Sequence, residues 1–196
     1  MFTGIIESLG KLVKAEKEGT NVHFTFQSPI SPELKIDQSL AHNGVCLTVV
    51  GIEEDQHVVT AIDETLKRTN LGQLDVGSEV NLERCMPANG RFDGHIVQGH
   101  VDQHGEVISI KEMDGSHVFS FKHEAGANFT VDKGSITING VSLTAFDTSN
   151  TGFSVAIIPY TLEHTTFNNL EVGHQVNLEF DIVGKYVARM LENRGV

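Results

Sequence analysis

Asn43-Gly-Val-Cys-Leu-Thr48 returns 96 positions later as Asn139-Gly-Val-Ser-Leu-Thr144, identical at five of six positions. The same offset sets Thr65–Glu83 (TLKRTNLGQLDVGSEVNLE) against Thr161–Glu179 (TLEHTTFNNLEVGHQVNLE), with ten identities in nineteen positions and no gap. At an offset of 95, Gly4-Ile-Ile-Glu7 lies against Gly99-His-Val-Asp102 and Gly10 against Gly105, so a one-residue length change separates the blocks. A unit this long is not a solenoid repeat and suits two tandem domains of one fold. Pro87 to Gly94, with a Pro, two Gly and an Asn-Gly, reads as the linker. The expected organisation is a first domain over 1–90, a second over 91–182 and a C-terminal helical segment over 183–196.

Within each copy the apolar residues alternate with period two, as in Val22-His-Phe-Thr-Phe26, Val118-Phe-Ser-Phe121, Val80-Asn-Leu82 and Val176-Asn-Leu-Glu-Phe180. That is the pattern of half-buried strands. Asn-Gly, Asp-Gly and Val-Gly turn signals separate them at short intervals, with no strand–helix alternation of a parallel sheet. Closure removes exposed edges, so the expected fold is all-β, two tandem antiparallel Greek-key barrels. Short helical turns are expected around Ser31–Leu34 and Leu66–Leu71. From Gly184 to Asn193, Tyr186, Val187, Met190 and Leu191 share one face at helical spacing opposite Arg189 and Glu192, which predicts one short amphipathic helix. A helix this short is marginal alone, so its stripe must dock on a barrel or on other subunits.

The chain has 196 residues, 14 Lys+Arg against 26 Asp+Glu, and a formal net charge of −12. With no basic cluster, nucleic acid is not an expected partner. No apolar run reaches the roughly 18 residues of a membrane span. The start, Met-Phe-Thr-Gly-Ile-Ile-Glu, lacks the basic and apolar regions of a secretory signal, so a cytoplasmic location is expected. Cys46 and Cys85, without a CxxC pair, are expected as free thiols.

Of the ten histidines, His95, His100 and His104 invite a metal reading. On an extended strand, side chains five apart point to opposite faces, and His100 and His104 would stand about 13 Å apart. No metal is therefore expected, and most histidines are expected at the solvated surface. Dinucleotide, P-loop and GxSxG signatures do not occur. The equivalent frames differ informatively: Cys46 faces Ser142 and Ile5 faces His100 across the repeat. Taken alone, the repeated NGV(C/S)LT block reads as a turn of a duplicated barrel with a free Cys acting as a small hydrophobe.

Five stretches together resemble the riboflavin synthase family: MFTGIIE at 1–7, AHNGVCLT at 41–48, GHIVQGHVD at 94–102, KGSITINGVSLT at 133–144 and IPYTLEHTT at 158–166. The resemblance covers both halves and the C-terminal segment in the family's order and spacing. It implies two six-stranded barrels per chain and a homotrimer held through the C-terminal helices. It also implies a transferase reaction in which two 6,7-dimethyl-8-ribityllumazine molecules exchange a four-carbon unit. The products are riboflavin and 5-amino-6-ribitylaminopyrimidinedione, formed without metal or redox cofactor. An association with lumazine synthase, the preceding enzyme, is left open.

By the same resemblance each barrel holds one lumazine. The first pocket is expected to use Gly4, Ile5, Ile6, Cys46, Leu47, Thr48 and the run Thr60, Ala61, Ile62, Asp63, Glu64, Thr65. The second is expected to use Gly99, His100, Val101, Lys133, Ser142, Leu143, Thr144 and the run Ile158, Pro159, Tyr160, Thr161, Leu162, Glu163. Phe2, Ser39 and Asp181 are marked as important near the site. The productive pair is implied to form between the first barrel of one subunit and the second of its neighbour. The chemistry needs proton loss from a C7 methyl in one lumazine and a nucleophile at C7 of the other, so the two pockets must differ. Cys46, Ser142 and Thr48 or Thr144 are assigned to the species adding at C7, and His100 to proton transfer. The fold family also includes non-catalytic lumazine- or flavin-binding antenna proteins. Intact GHVD, Lys133, SLT and IPYTLE motifs favour catalysis over binding alone.

Overall fold

A computed structural model describes residues 1–126 and 128–193; positions 194–196 of the C-terminal segment lie outside the described residues. The first repeat folds into β1 (Ser8–Glu18), β2 (Asn21–Gln27), β3 (Ser39–His42), β4 (Val45–Glu53), β5 (Gln56–Ala61) and β6 (Glu79–Arg84). The second gives β7 (Gln103–Met113), β8 (Ser116–His123), β9 (Ser135–Ile138), β10 (Val141–Ser149), β11 (Gly152–Ile157) and β12 (Gln175–Phe180). Each set closes into an antiparallel barrel, in the orders β1-β2-β5-β4-β3-β6 and β7-β8-β11-β10-β9-β12. The orders are the same under the repeat. Alternate residues such as Phe24, Phe26 and Val59, or Phe119, Phe121 and Val155, turn inward to form one apolar core per barrel.

The β5–β6 link holds α1 (Asp63–Arg68), and the β11–β12 link holds α2 (Pro159–His164). Each is followed by a 3₁₀ turn, Asn70–Gln73 and Thr166–Asn169, and a further 3₁₀ turn spans Ser31–Glu33. The C-terminal helix α3 runs Ile182–Glu192, two residues earlier than the apolar spacing suggests, because the Asp181 carboxylate accepts from Val183 N at 2.9 Å and caps it. No described helix is long and apolar enough to cross a membrane.

The barrels meet through their Asn-Gly turns. Asn43 and Gly44 (φ 46° and 76°) and Asn139 and Gly140 (φ 46° and 83°) are left-handed, as a two-residue hairpin turn requires. The turns abut back to back: a Cβ on Gly140 would lie 2.7 Å from Gly44 N, and one on Gly44 2.7 Å from Gly140 N. Asparagines clamp the joint symmetrically. Asn81 Nδ2 donates to Asn139 O (2.8 Å) and Asn177 Nδ2 to Asn43 O (2.9 Å). Their Oδ1 atoms accept from Thr166 N (2.8 Å) and Asn70 N (2.7 Å). These groups are buried, so losing a partner leaves an unsatisfied polar atom.

Several histidines are not at the surface. His42 and His57 have no exposed area, and their Nε2 atoms lie 2.8 Å apart. His42 Nδ1 donates to Leu40 O, so His42 Nε2 accepts from His57 Nε2–H, and His57 Nδ1 accepts from the Ser31 hydroxyl (2.8 Å). The chain of bonds needs both rings neutral. Burial, and for His42 the neighbouring His57, hold both pKa values down, that of His57 at about 4. At the equivalent places the second barrel has Ile138 and Phe153, both buried.

Two outcomes follow from these contacts. Gly140→Ala, facing the Gly44 backbone, should cost about 3 kcal/mol by urea denaturation. Gly115→Ala, left-handed (φ 81°) but with nothing within 4 Å, should cost about 1 kcal/mol. For the histidines, the unfolded chain binds more protons than the fold between the ordinary pKa of 6.5 and the depressed value of about 4. Stability is therefore full above pH 6.5 and is lost as pH falls through that window, by about 3 kcal/mol for His57. The double variant His42→Ile with His57→Phe should flatten that loss in pH-dependent denaturation.

Candidate functional site

The residues leading into each barrel cross to the other one. Gly4, left-handed at φ 79°, uses its carbonyl to accept from Ser142 N of β10 at 2.8 Å. Ile6 packs on the second barrel's core. Gly99, left-handed at φ 80°, accepts from Cys46 N of β4 at 2.9 Å, and Val101 packs on the first barrel's core. The expected grouping is thus corrected: Gly4, Ile5 and Ile6 belong with Ser142, and Gly99, His100 and Val101 with Cys46. Close approach enforces it, since a Cβ on Gly4 would sit 2.5 Å from Ser142 Cβ and one on Gly99 2.6 Å from Cys46 Cβ.

In the second barrel, Ile5, Ser142, Leu143, Thr144, Ile158 and Thr161 border a cavity of about 380 Å³, within the range of small-molecule sites. His95 Nδ1 lies 2.7 Å from Ser142 Oγ, and His95 Nε2 lies 3.2 Å from Thr137 Oγ1. With its proton on Nε2, His95 donates to Thr137 and accepts from the Ser142 hydroxyl. Burial lowers the His95 pKa against the opposing pull of Asp181, so the imidazole is neutral at pH 7 and able to take a proton. A hydroxyl beside a neutral imidazole held by a third group is the arrangement of an activated nucleophile or a general base.

The first barrel offers other chemistry at the equivalent place. Ala41 stands opposite Cys46 where Thr137 stands opposite Ser142. Burial pushes the Cys46 thiol pKa up; a Ser39 hydrogen bond pulls it down, and Cys85 and Glu179 add to the rise. Cys46 is therefore a neutral thiol at pH 7. Cys46 and Cys85 are both free and pack with Phe2, Ala41 and Val97.

The remaining expected residues fall as follows. Thr48 and Thr144 are exposed on β4 and β10, paired across the sheet with Ser39 and Ser135. Phe2 is fully buried and stands behind Cys46, so it reaches a ligand only through its neighbours. Thr60 bonds His23 (2.8 Å), and Ala61 is buried, while Ile62, Asp63 and Glu64 are exposed at the start of α1. Ile158 and Tyr160 are exposed, and Tyr160 stacks on His164 (4.1 Å). Lys133 is exposed in a left-handed turn whose amide donates to Ala145 O. His100 is exposed, between Gly99, which bonds Cys46, and Val101, which packs on the first barrel.

The metal reading of His95, His100 and His104 treats residues 95–104 as an extended strand. They do not form one: apart from one bridge at Val97, strand begins at Gln103. His95 sits on Ser142, and His104 stands opposite Asn177, so these side chains do different work. The sequence signal for His95 was present in the doubled Gly-His of Gly94-His95 and Gly99-His100. A larger cleft of about 760 Å³ lies between α1 and β7–β8. It mixes Lys67, Arg68 and Lys122 with Asp102, Glu106 and Glu124 and contains neither Cys46 nor Ser142.

Comparison with known proteins matches the lumazine binding domain twice, over residues 3–85 and 98–181. Riboflavin synthase of Actinobacillus pleuropneumoniae is 44% identical over 193 residues, 97% of this chain and 90% of that one. Riboflavin synthase of Mycobacterium tuberculosis is 42% identical over 204 residues and all of both chains. Crystal structures of LumP complexed with riboflavin and with 6,7-dimethyl-8-(1'-D-ribityl) lumazine superpose with TM-scores of 0.84 and 0.83. They are 27% and 25% identical, covering 92% and 91% of this chain and 99% and 98% of theirs.

Proposed function

The chain belongs to the riboflavin synthase family, and we propose that it converts two 6,7-dimethyl-8-ribityllumazine molecules into riboflavin and 5-amino-6-ribitylaminopyrimidinedione with its two unlike pockets. The observation that carries the reading is the 2.7 Å contact of His95 with Ser142 at the rim of the second-barrel cavity. One lumazine must take a nucleophile at C7, and the Ser142–His95–Thr137 relay can move the proton that this addition releases. The partner lumazine must lose a proton from its C7 methyl, and the first-barrel pocket of Cys46, Thr48 and the exposed His100 receives that half of the reaction. Cys46, as a neutral thiol, orients and donates; it does not act as the base. Holding two flat substrates against each other supplies much of the remaining barrier reduction.

The reading includes a cytoplasmic homotrimer. Its support is the C-terminal helix: Val183, Tyr186, Val187, Met190 and Leu191 are exposed on α3, more apolar surface than one short helix leaves to solvent without a partner. Subunit contact would bring the first barrel of one subunit to the second of its neighbour.

Purified protein mixed with the lumazine alone should yield one riboflavin for every two lumazines consumed, followed by absorbance and fluorescence. Tight binding with an unchanging spectrum would instead make this an antenna protein. His95→Gln and Ser142→Ala should each lower kcat by about 10²-fold, and the double variant no further, because the two groups act as one unit. Val187→Glu with Met190→Glu should reduce the mass in light scattering to a single subunit and abolish turnover while lumazine still binds.

A further inference from the structure

Two buried carboxylates lie outside the chemistry assigned above. Glu83, on β6, is 5% exposed and Glu179, on β12, 3%. Glu83 Oε1 accepts from Thr3 N (2.7 Å) and the Thr3 hydroxyl (3.1 Å), and Glu83 Oε2 from Gly4 N (3.0 Å). Glu179 Oε1 accepts from Gln98 N (2.7 Å), and its Oε2 from Gly99 N and His100 N, both at 2.9 Å. Under the repeat the two sets correspond at Thr3 N with Gln98 N and Gly4 N with Gly99 N, the Thr3 hydroxyl completing one and His100 N the other: successive amides around a left-handed glycine form a concave anion seat, and a carboxylate of the fold fills it. An ionised carboxylate only accepts, with about four lone-pair sites, and so suits converging N–H donors; an amide would turn its NH₂ toward one of them.

The segments so held do not serve the barrel that holds them. Glu83 belongs to the first barrel, yet the Gly4 carbonyl it steadies accepts from Ser142 N in the second. Glu179 belongs to the second barrel, yet the Gly99 carbonyl accepts from Cys46 N in the first. We propose that Glu83 and Glu179 are positioning residues that act across the barrels, each fixing from one barrel's last strand the segment that completes the other barrel's pocket. The two pockets of one chain are thereby mechanically coupled. The inference rests on the proposed reaction for its kinetic consequence but not for its structural one. A mere tether between domains would loosen both hairpins alike; the crossed arrangement makes each glutamate specific to the opposite one.

Hydrogen exchange read by mass spectrometry on the ligand-free full chain separates these cases. Glu83→Gln should speed exchange about ten-fold in the hairpin of Asn139–Thr144 and by far less in Asn43–Thr48, which touches it only through the Asn-Gly turns; Glu179→Gln should do the reverse. Turnover should fall on the order of 10²-fold in kcat for either variant, with KM moved far less, because the reacting groups are displaced and not removed. Where a Gln variant does not fold, Glu→Asp, which keeps the charge but withdraws it by one methylene, should give the same crossed pattern. A greater speed-up in the glutamate's own barrel, or equal change in both hairpins, would overturn the proposal. A crossed pattern in a chain whose wild type does not turn over lumazine would leave the coupling standing and remove the synthase reading.

Discussion

Two left-handed glycines, Gly4 and Gly99, set the geometry on which both Asn-Gly hairpins depend. Each gives its amide to a buried glutamate of its own repeat and its carbonyl to the amide of Ser142 or Cys46 in the other barrel. No side chain fits there, since the nearest atoms of Ser142 and Cys46 would stand 2.5 and 2.6 Å from an added Cβ. The result is two chains of contact, Glu83–Gly4–Ser142 and Glu179–Gly99–Cys46, related by the repeat and crossing between barrels. Neither barrel is complete without its neighbour's lead segment.

The barrels themselves were legible in the sequence. A repeat with period-two apolar residues and Asn-Gly turns specifies six strands twice, and closure follows from the need to remove edges. The crossing was not legible, because a repeat equates Gly4 with Gly99 but does not say which barrel either one touches. The burial of His42 and His57 was hidden for a different reason. Each ring is tolerable inside only because the other lies 2.8 Å away, and the partner of a buried polar group is a tertiary fact. The role of His95 was hidden because residues 95–102 are a loop and not a strand, and only the tertiary fold lays His95 on Ser142.

The two frames are alike in backbone and unlike in reactivity, and the unlike positions are few. Thr137 can give His95 a second hydrogen-bond partner that holds the ring in place; Ala41, at the equivalent place, cannot. Ser142 consequently sits beside a neutral base, whereas Cys46 is packed with Phe2 and Cys85 and kept protonated by burial. These substitutions alter which proton can move without altering how either hairpin is held. One scaffold can therefore present one substrate twice, in two chemical settings.

Joining the barrels in one chain gives that arrangement its logic. If two separate single barrels paired, both pockets would carry the same residue at the position of Cys46 and Ser142, and the two halves of a dismutation could not be distinguished. Fusion lets those positions differ and keeps the lead segments at high effective concentration for exchange. The exchange in turn restricts where difference is allowed. A change at Gly4, Gly99, Glu83 or Glu179 would damage the pocket of the opposite barrel, so these positions are the same in both copies. Divergence falls instead on side chains outside the glycine–glutamate seats: Ile5 against His100, Cys46 against Ser142, and Ala41 against Thr137.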